Sequence, residues 1–146
     1  MSQDTIPFNF DIDRTPADPP LQFRVLLDGV PVYVMSTDSD RVQIEINDTD
    51  DVIEHELIFE MSNKQPSHTK IDDNNQITED ALILIKNISI DNINVDQLWY
   101  NSSQYKHNYN GSSDMITDEF YGSMGCNGTV SMKFTTPFYL WLLEHM

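Results

Sequence analysis

A chain of 146 residues is the size of one domain and long enough to bury a core without disulfide or metal staples. Its formal net charge of −16, from 24 acidic residues against 8 basic ones, repels phosphate backbones and anionic lipid, which argues against nucleic acid and membrane surfaces as partners. Hydrophobic residues make up 39% and arrive in bursts, which separates the chain from disordered sequences of similar charge.

Residues 1–20 read as an extended N-terminal arm. Pro7, Pro16, Pro19 and Pro20 remove backbone donors, while Ile6, Phe8, Phe10 and Ile12 alternate with small or polar residues. Two phenylalanines at that spacing want a surface, so the arm is expected to lie against its own sheet or a neighbouring subunit. The remainder, residues 21–146, is expected to form a single β-sandwich domain.

From Leu21 the period is two. Phe23, Val25 and Leu27 share a face, Asp28-Gly29 signals a hairpin, and Val30 to Met35 returns with Pro31 marking an edge strand. Val42, Ile44 and Ile46 alternate with Arg41, Gln43 and Glu45, a strand with one wet face. Leu57, Phe59 and Met61 make the next strand. A long polar loop spans residues 62–80. Ala81 to Val95 follows as one long strand or two with a bend, and Leu82 to Ile85 look buried on both faces.

A polar, aromatic loop then carries Trp99, Tyr100, Tyr105 and Tyr109. Met115 to Tyr121, then Val130, Met132 and Phe134, and finally Phe138 to Leu143 close the chain. Helical periodicity is not sustained anywhere, and short strands between Gly, Asn and Asp turns predict an all-β fold. The expected architecture is a two-layer antiparallel β-sandwich, jelly-roll-like. The last apolar run would aggregate as an exposed edge, so it is expected to be a central strand or an oligomer contact.

Cys126 is the sole cysteine, so no intrachain disulfide forms. The first twenty residues lack a basic start and an apolar run, and the longest late apolar burst is too short to span a bilayer. A soluble protein without a signal peptide is the expectation.

Catalytic constellations are weak. His55, His68, His107 and His145 are scattered, Cys126 has no base nearby in sequence, and Gly122, Gly125 and Gly128 follow no strand-turn-helix pattern. Glu54 and Glu56 share a strand face as any solvated pair does. The chain is read as a non-enzyme. Calcium is the cofactor to consider, because hard cations want several oxygens from acidic loops. Asp48, Asp50 and Asp51 form one such loop. The other holds Asp72, Asp73 and Asp80, the candidate ligands. Trp99, Tyr100, Tyr105 and Tyr109, set among amides and hydroxyls, are the candidate ligand-binding surface. Flat rings suit sugar C–H faces and equally suit a protein interface.

Two stretches carry resemblances. Phe23 to Gly29, then His55-Glu56-Leu57-Ile58-Phe59-Glu60-Met61-Ser62-Asn63, then Leu82 to Val95, resemble the calcium-dependent xylan-binding modules over about half of the chain. That likeness implies a jelly-roll sandwich binding sugar hydroxyls through calcium. Phe120 to Val130, continuing through Phe134 to Glu144, is similar to small uncharacterised proteins of tailed phages of marine cyanobacteria, which implies a virion or host-interaction role. The combined expectation is a phage-encoded module that binds carbohydrate or decorates a virion. Its alternative is a structural assembly protein acting through its N-terminal arm and C-terminal strand, as a homo-oligomer or against other virion proteins.

Overall fold

The computed structural model describes residues 3–145. The described chain folds into two antiparallel sheets and a small hairpin. The first sheet holds β1 (Gln3–Arg14), β4 (Ser39–Thr49), β8 (Ile83–Ile90), β9 (Ile93–Asn94) and β12 (Ser123–Met124). Its order is β12-β8-β1-β4, with β9 also paired to β8. The second holds β2 (Gln22–Leu27), β3 (Val30–Val34), β5 (Glu54–Ser62), β10 (Gln104–His107), β11 (Ile116–Asp118) and β13 (Gly128–Thr135), in the order β11-β10-β13-β5-β2-β3. Between β5 and β8 lie a 3-10 turn (Pro66–His68) and the hairpin β6 (Thr69–Ile71) and β7 (Ile77–Asp80). Two short helices, α1 (Asp96–Ser102) and α2 (Phe138–His145), complete the chain.

Alternation builds the core between the two sheets. Ile6, Phe8, Phe10 and Ile12 of β1, with Val42, Ile44 and Ile46 of β4, turn inward from one sheet. Phe23 and Val25 of β2, Leu57, Phe59 and Met61 of β5, and Val130, Met132 and Phe134 of β13 turn inward from the other. The rings meet across the gap: Phe10 lies 5.2 Å from Phe59 and 6.4 Å from Phe23, centroid to centroid. The expected all-β, two-sheet architecture is what the chain adopts.

Residues 3–14 of the expected arm are extended, but they are built into the sheet. β1 is hydrogen-bonded to β4 along one side and to β8 along the other, so it is an interior strand; residues 1–2 lie outside the described part. Pro7 is tolerated there for a local reason. Its carbonyl accepts the N–H of Asp91 at 2.8 Å, where β8 has already turned toward β9, so the missing N–H falls where that ladder stops.

The hairpin of β2 and β3 turns through Asp28 and Gly29, both at positive φ, and β3 is an edge strand as Pro31 indicated. β8 departs from the reading of a strand buried on both faces, because Leu84 is 45% exposed. A bulge gives β8 its unusual pattern. Asn87 sits at φ 54, the register to β1 slips between Asn9 and Asp11, and the extra residue lets Ile83 and Ile85 face inward together with Ile88 and Ile90.

The closing run is also corrected: residues 138–143 belong to helix α2, not to a central strand. Among the described residues, no helix is long and apolar enough to cross a membrane.

Candidate functional site

The four rings expected to form one binding surface lie on different elements and in different environments. Trp99, on α1, is 1% exposed, wedged between Phe8 of one sheet at 5.3 Å and Phe59 of the other at 5.5 Å. Tyr105, on β10, is also in the core. Its hydroxyl donates to the Cys126 carbonyl and accepts the Cys126 N–H at 3.0 Å, and burial raises its phenol above the ordinary range. A ring enclosed on both faces has none to offer a sugar, so the expectation fails for these two residues. The polar sequence around them gave no sign of which rings turn inward.

Tyr100 is half-buried at the edge of α1, against Phe120 and 6.4 Å from the exposed ring of Tyr121. Gly122 permits this approach, since a Cβ there would lie 3.0 Å from the Tyr100 hydroxyl. Tyr109 is exposed on a turn, at φ 51, edge-on to His107. Tyr121 was missed from the sequence.

Two of the three acidic candidates, Asp72 and Asp80, are committed to holding their own loop. The Asp72 carboxylate accepts the N–H groups of Asn74 at 2.8 Å and Gln76 at 3.0 Å, fixing the tip of the β6–β7 hairpin. Asp73 is exposed on that tip. Asp80 accepts from Lys64 at 2.5 Å and from Thr69 at 2.7 Å. The Lys64 ammonium is buried and also donates to the Ala81 carbonyl, so this pair pins the hairpin to the sandwich. Among the described residues, no group of three or more His, Cys, Asp or Glu side chains is placed to hold a metal.

Two arrangements have some catalytic character. His55 Nδ1 lies 2.7 Å from Asp28, whose other oxygen accepts the Glu56 N–H, which has the form of half a catalytic pair. However, its Nε2 is buried without a partner and its ring packs on Phe134, so no reacting atom is in reach. Burial raises the Cys126 thiol, which weakens it as a nucleophile. A cleft of about 360 Å³ opens between residues 15–18 and the β6–β7 hairpin, lined by Asp18, Ser67, Lys70 and Glu79 among others. Lys70 is ion-paired to Glu79 at 3.1 Å, and His68 is bonded through both ring nitrogens.

A further candidate is α2. Thr136 anchors its approach: the hydroxyl donates to the Asp51 carbonyl at 2.6 Å, and the backbone N–H donates to the Ile53 carbonyl at 3.0 Å. Asp48 then caps the helix, accepting the Phe138 N–H at 2.9 Å, where the helix dipole favours a negative charge. Phe138, Trp141 and Leu142 turn into the core, with Phe134 6.1 Å from Trp141.

Helical geometry then fixes what faces out. Tyr139, Leu140 and Leu143 stand three and four residues apart on the opposite side, 48%, 57% and 69% exposed. The loop tied to the helix start also carries exposed apolar side chains, Val52 and Ile53. Tyr139 is held by its hydroxyl, which donates to Asp91 and has its own acidity lowered by that bond. A surface helix normally shows water its polar side, but this one is apolar around most of its circumference. Its flanks are acidic: Asp50, Asp51, Glu54 and Glu144 are all exposed. The chain matches no family model, and comparison with curated proteins and with solved structures found no match.

Proposed function

We propose that the chain is a non-enzymatic β-sandwich module that docks onto another protein through the outer face of α2. The exposed trio Tyr139, Leu140 and Leu143 carries this reading. Burying the part of each Leu still in water is worth about 1–2 kcal/mol, a gain that a docking partner supplies. Of the two functions expected from the sequence, this favours assembly over sugar binding, with α2 as the contact in place of a C-terminal strand and an N-terminal arm. A particle such as a virion is a setting consistent with the phage likeness of residues 120–144.

A photo-crosslinking residue placed at 140, in cells that make the full chain, tests the reading against the same residue at Ser131 on the outer side of β13. A discrete adduct from position 140 alone is expected. Equal adducts from both positions, or none from 140, defeat it.

A second reading keeps the carbohydrate, on one observation: the exposed ring of Tyr121 stands edge-on to the half-buried Tyr100. A glycan array with and without calcium, repeated with Tyr121→Ala, checks it. Binding lost in that variant supports the sugar; no binding in either condition removes it.

A further inference from the structure

The docking reading leaves the partner's chemistry open, and the surroundings of α2 narrow it. Resting on that reading, we infer that the outer face of α2 takes an apolar segment of a partner protein that carries lysine or arginine along its flanks. The apolar centre is Leu140, Leu143 and the Tyr139 ring. Its flanks are carboxylates from three places. Glu144 follows Leu143 on the helix, Asp50, Asp51 and Glu54 come from the segment that anchors the helix start, and Asp91 holds the Tyr139 hydroxyl.

Two basic groups, Lys133 and His145, stand on the Trp141 side of the helix, both exposed. They line a shallow groove with Trp141, Glu54 and Glu144, and His145 is stacked on Trp141 and hydrogen-bonded to its carbonyl. Glu54 and Glu144 border both this groove and the outer face, so the surroundings of the helix are mixed in sign but dominated by carboxylates, Asp50, Asp51, Glu54, Asp91 and Glu144 against Lys133 and His145. Apolar contact sets where a partner sits, and desolvated carboxylates at the rim require cations opposite them.

The same charges disfavour a second copy of the chain as the occupant. Two copies, each with a formal net charge of −16, would bring Glu144 and the Asp50–Asp51 loop against like rims across a two-fold axis. An amphipathic helix or strand with interleaved basic residues meets both requirements.

Four synthetic peptides, measured by anisotropy against the full chain near physiological salt, test this. Three share one leucine stripe at helical spacing and differ on the polar face, which is lysine, glutamine or glutamate. The fourth keeps the lysine face but has serine in place of leucine. The lysine–leucine peptide is expected to bind at least about tenfold tighter than the glutamine and serine versions, with the glutamate version weakest. Leu140→Ser with Leu143→Ser should weaken it about tenfold with an unchanged melting curve, and Asp51→Asn with Glu54→Gln and Glu144→Gln should bring it down to the glutamine peptide's level.

Equal binding of the lysine and glutamine peptides overturns the inference and leaves docking intact. Equal binding of the serine peptide, or indifference to the leucine variants, means the bulk negative field alone attracts the lysines and also overturns it. A dimer seen by sedimentation and lost in the leucine variants replaces the basic partner with a second copy, again leaving the docking surface standing. If position 140 yields no crosslink and no leucine-striped peptide binds, both fall together.

Discussion

The two helices are near in length and each carries one tryptophan, yet they are finished differently. α1 sends Trp99 into the core and presents Gln97 and Asn101 to water, where the two amides hydrogen-bond to each other at 3.3 Å. It is also tied down at its start: Asp96 accepts the N–H of Ile88 at 2.6 Å, and Val95 donates to the Ile88 carbonyl at 2.8 Å. α2 sends Phe138, Trp141 and Leu142 inward but presents Leu140 and Leu143 to water. The first helix buries its large ring and shows water its amides, although the Trp99 indole N–H and the Ser103 hydroxyl are buried without a partner. The second buries one side and leaves an equally apolar side open, which is why function is sought there.

The largest effect expected from breaking this comparison is at Trp99. Trp99→Ala removes the ring that joins Phe8 to Phe59 and should destabilise the fold by about 3–5 kcal/mol, read from a urea melt. A loss under about 1 kcal/mol would mean that α1 is peripheral. On α2, adjacent residues should behave oppositely. Leu142→Ala, at a buried position, should cost about 2 kcal/mol, whereas Leu143→Ala should stay within about 0.5 kcal/mol. Equal losses at 142 and 143 would show that the outer face is packed by the chain itself, and the docking reading would fail.

Much of the sandwich is legible in the sequence because period two is a strong signal. Val42, Ile44 and Ile46 alternate with charged or polar neighbours, and Asp28-Gly29 supplies the left-handed turn its hairpin needs. The interior position of β1 was hidden by Pro7, whose harmlessness depends on where β8 ends, a tertiary fact. The helices were hidden for opposite reasons. Asp96–Ser102 is too short and polar for its repeat to show, while residues 138–143 are apolar without interruption, and such a run fits a strand as well as a helix. What decides for helix is Pro137 ahead of it and the cap from Asp48, ninety positions earlier in the chain. The aromatic site failed on the same ground: composition places rings in a neighbourhood but does not say which way each one turns.

Tyr105 offers a smaller test on the finished side of the molecule. Tyr105→Phe keeps the ring but leaves the N–H and C=O of Cys126 without their partner, and it should cost about 1–2 kcal/mol. Its pH signature has a definite sign. Burial raises the phenol, so the folded state keeps its proton where the unfolded chain has begun to release it. The contribution is therefore complete below the ordinary phenol value of about 10 and disappears as pH rises beyond it. The variant should lose stability at neutral pH and then show a flatter alkaline decline. Some decline should persist, because burial and the bond to Asp40 raise Tyr33 as well. An unchanged alkaline slope would mean that Tyr105 is not enclosed.

The smallest effect belongs to the outer face of the first sheet, which is finished by charge as α1 is finished by amides. Arg41 donates to Asp11 at 2.8 Å and Asn87 donates to its other oxygen at 2.7 Å, and these two bonds hold the Asp11 carboxyl below its usual range. A lowered carboxyl stabilises the fold above its ordinary pKa and loses that contribution as pH falls through the lowered value. Arg41→Ala should therefore cost less than about 1 kcal/mol at neutral pH, less again in high salt, and nothing in strong acid. Asn87 should retain part of the Asp11 effect in that variant. A larger, salt-insensitive loss would mean that this polar face is covered in solution, and α2 would no longer be the leading surface left open to a partner.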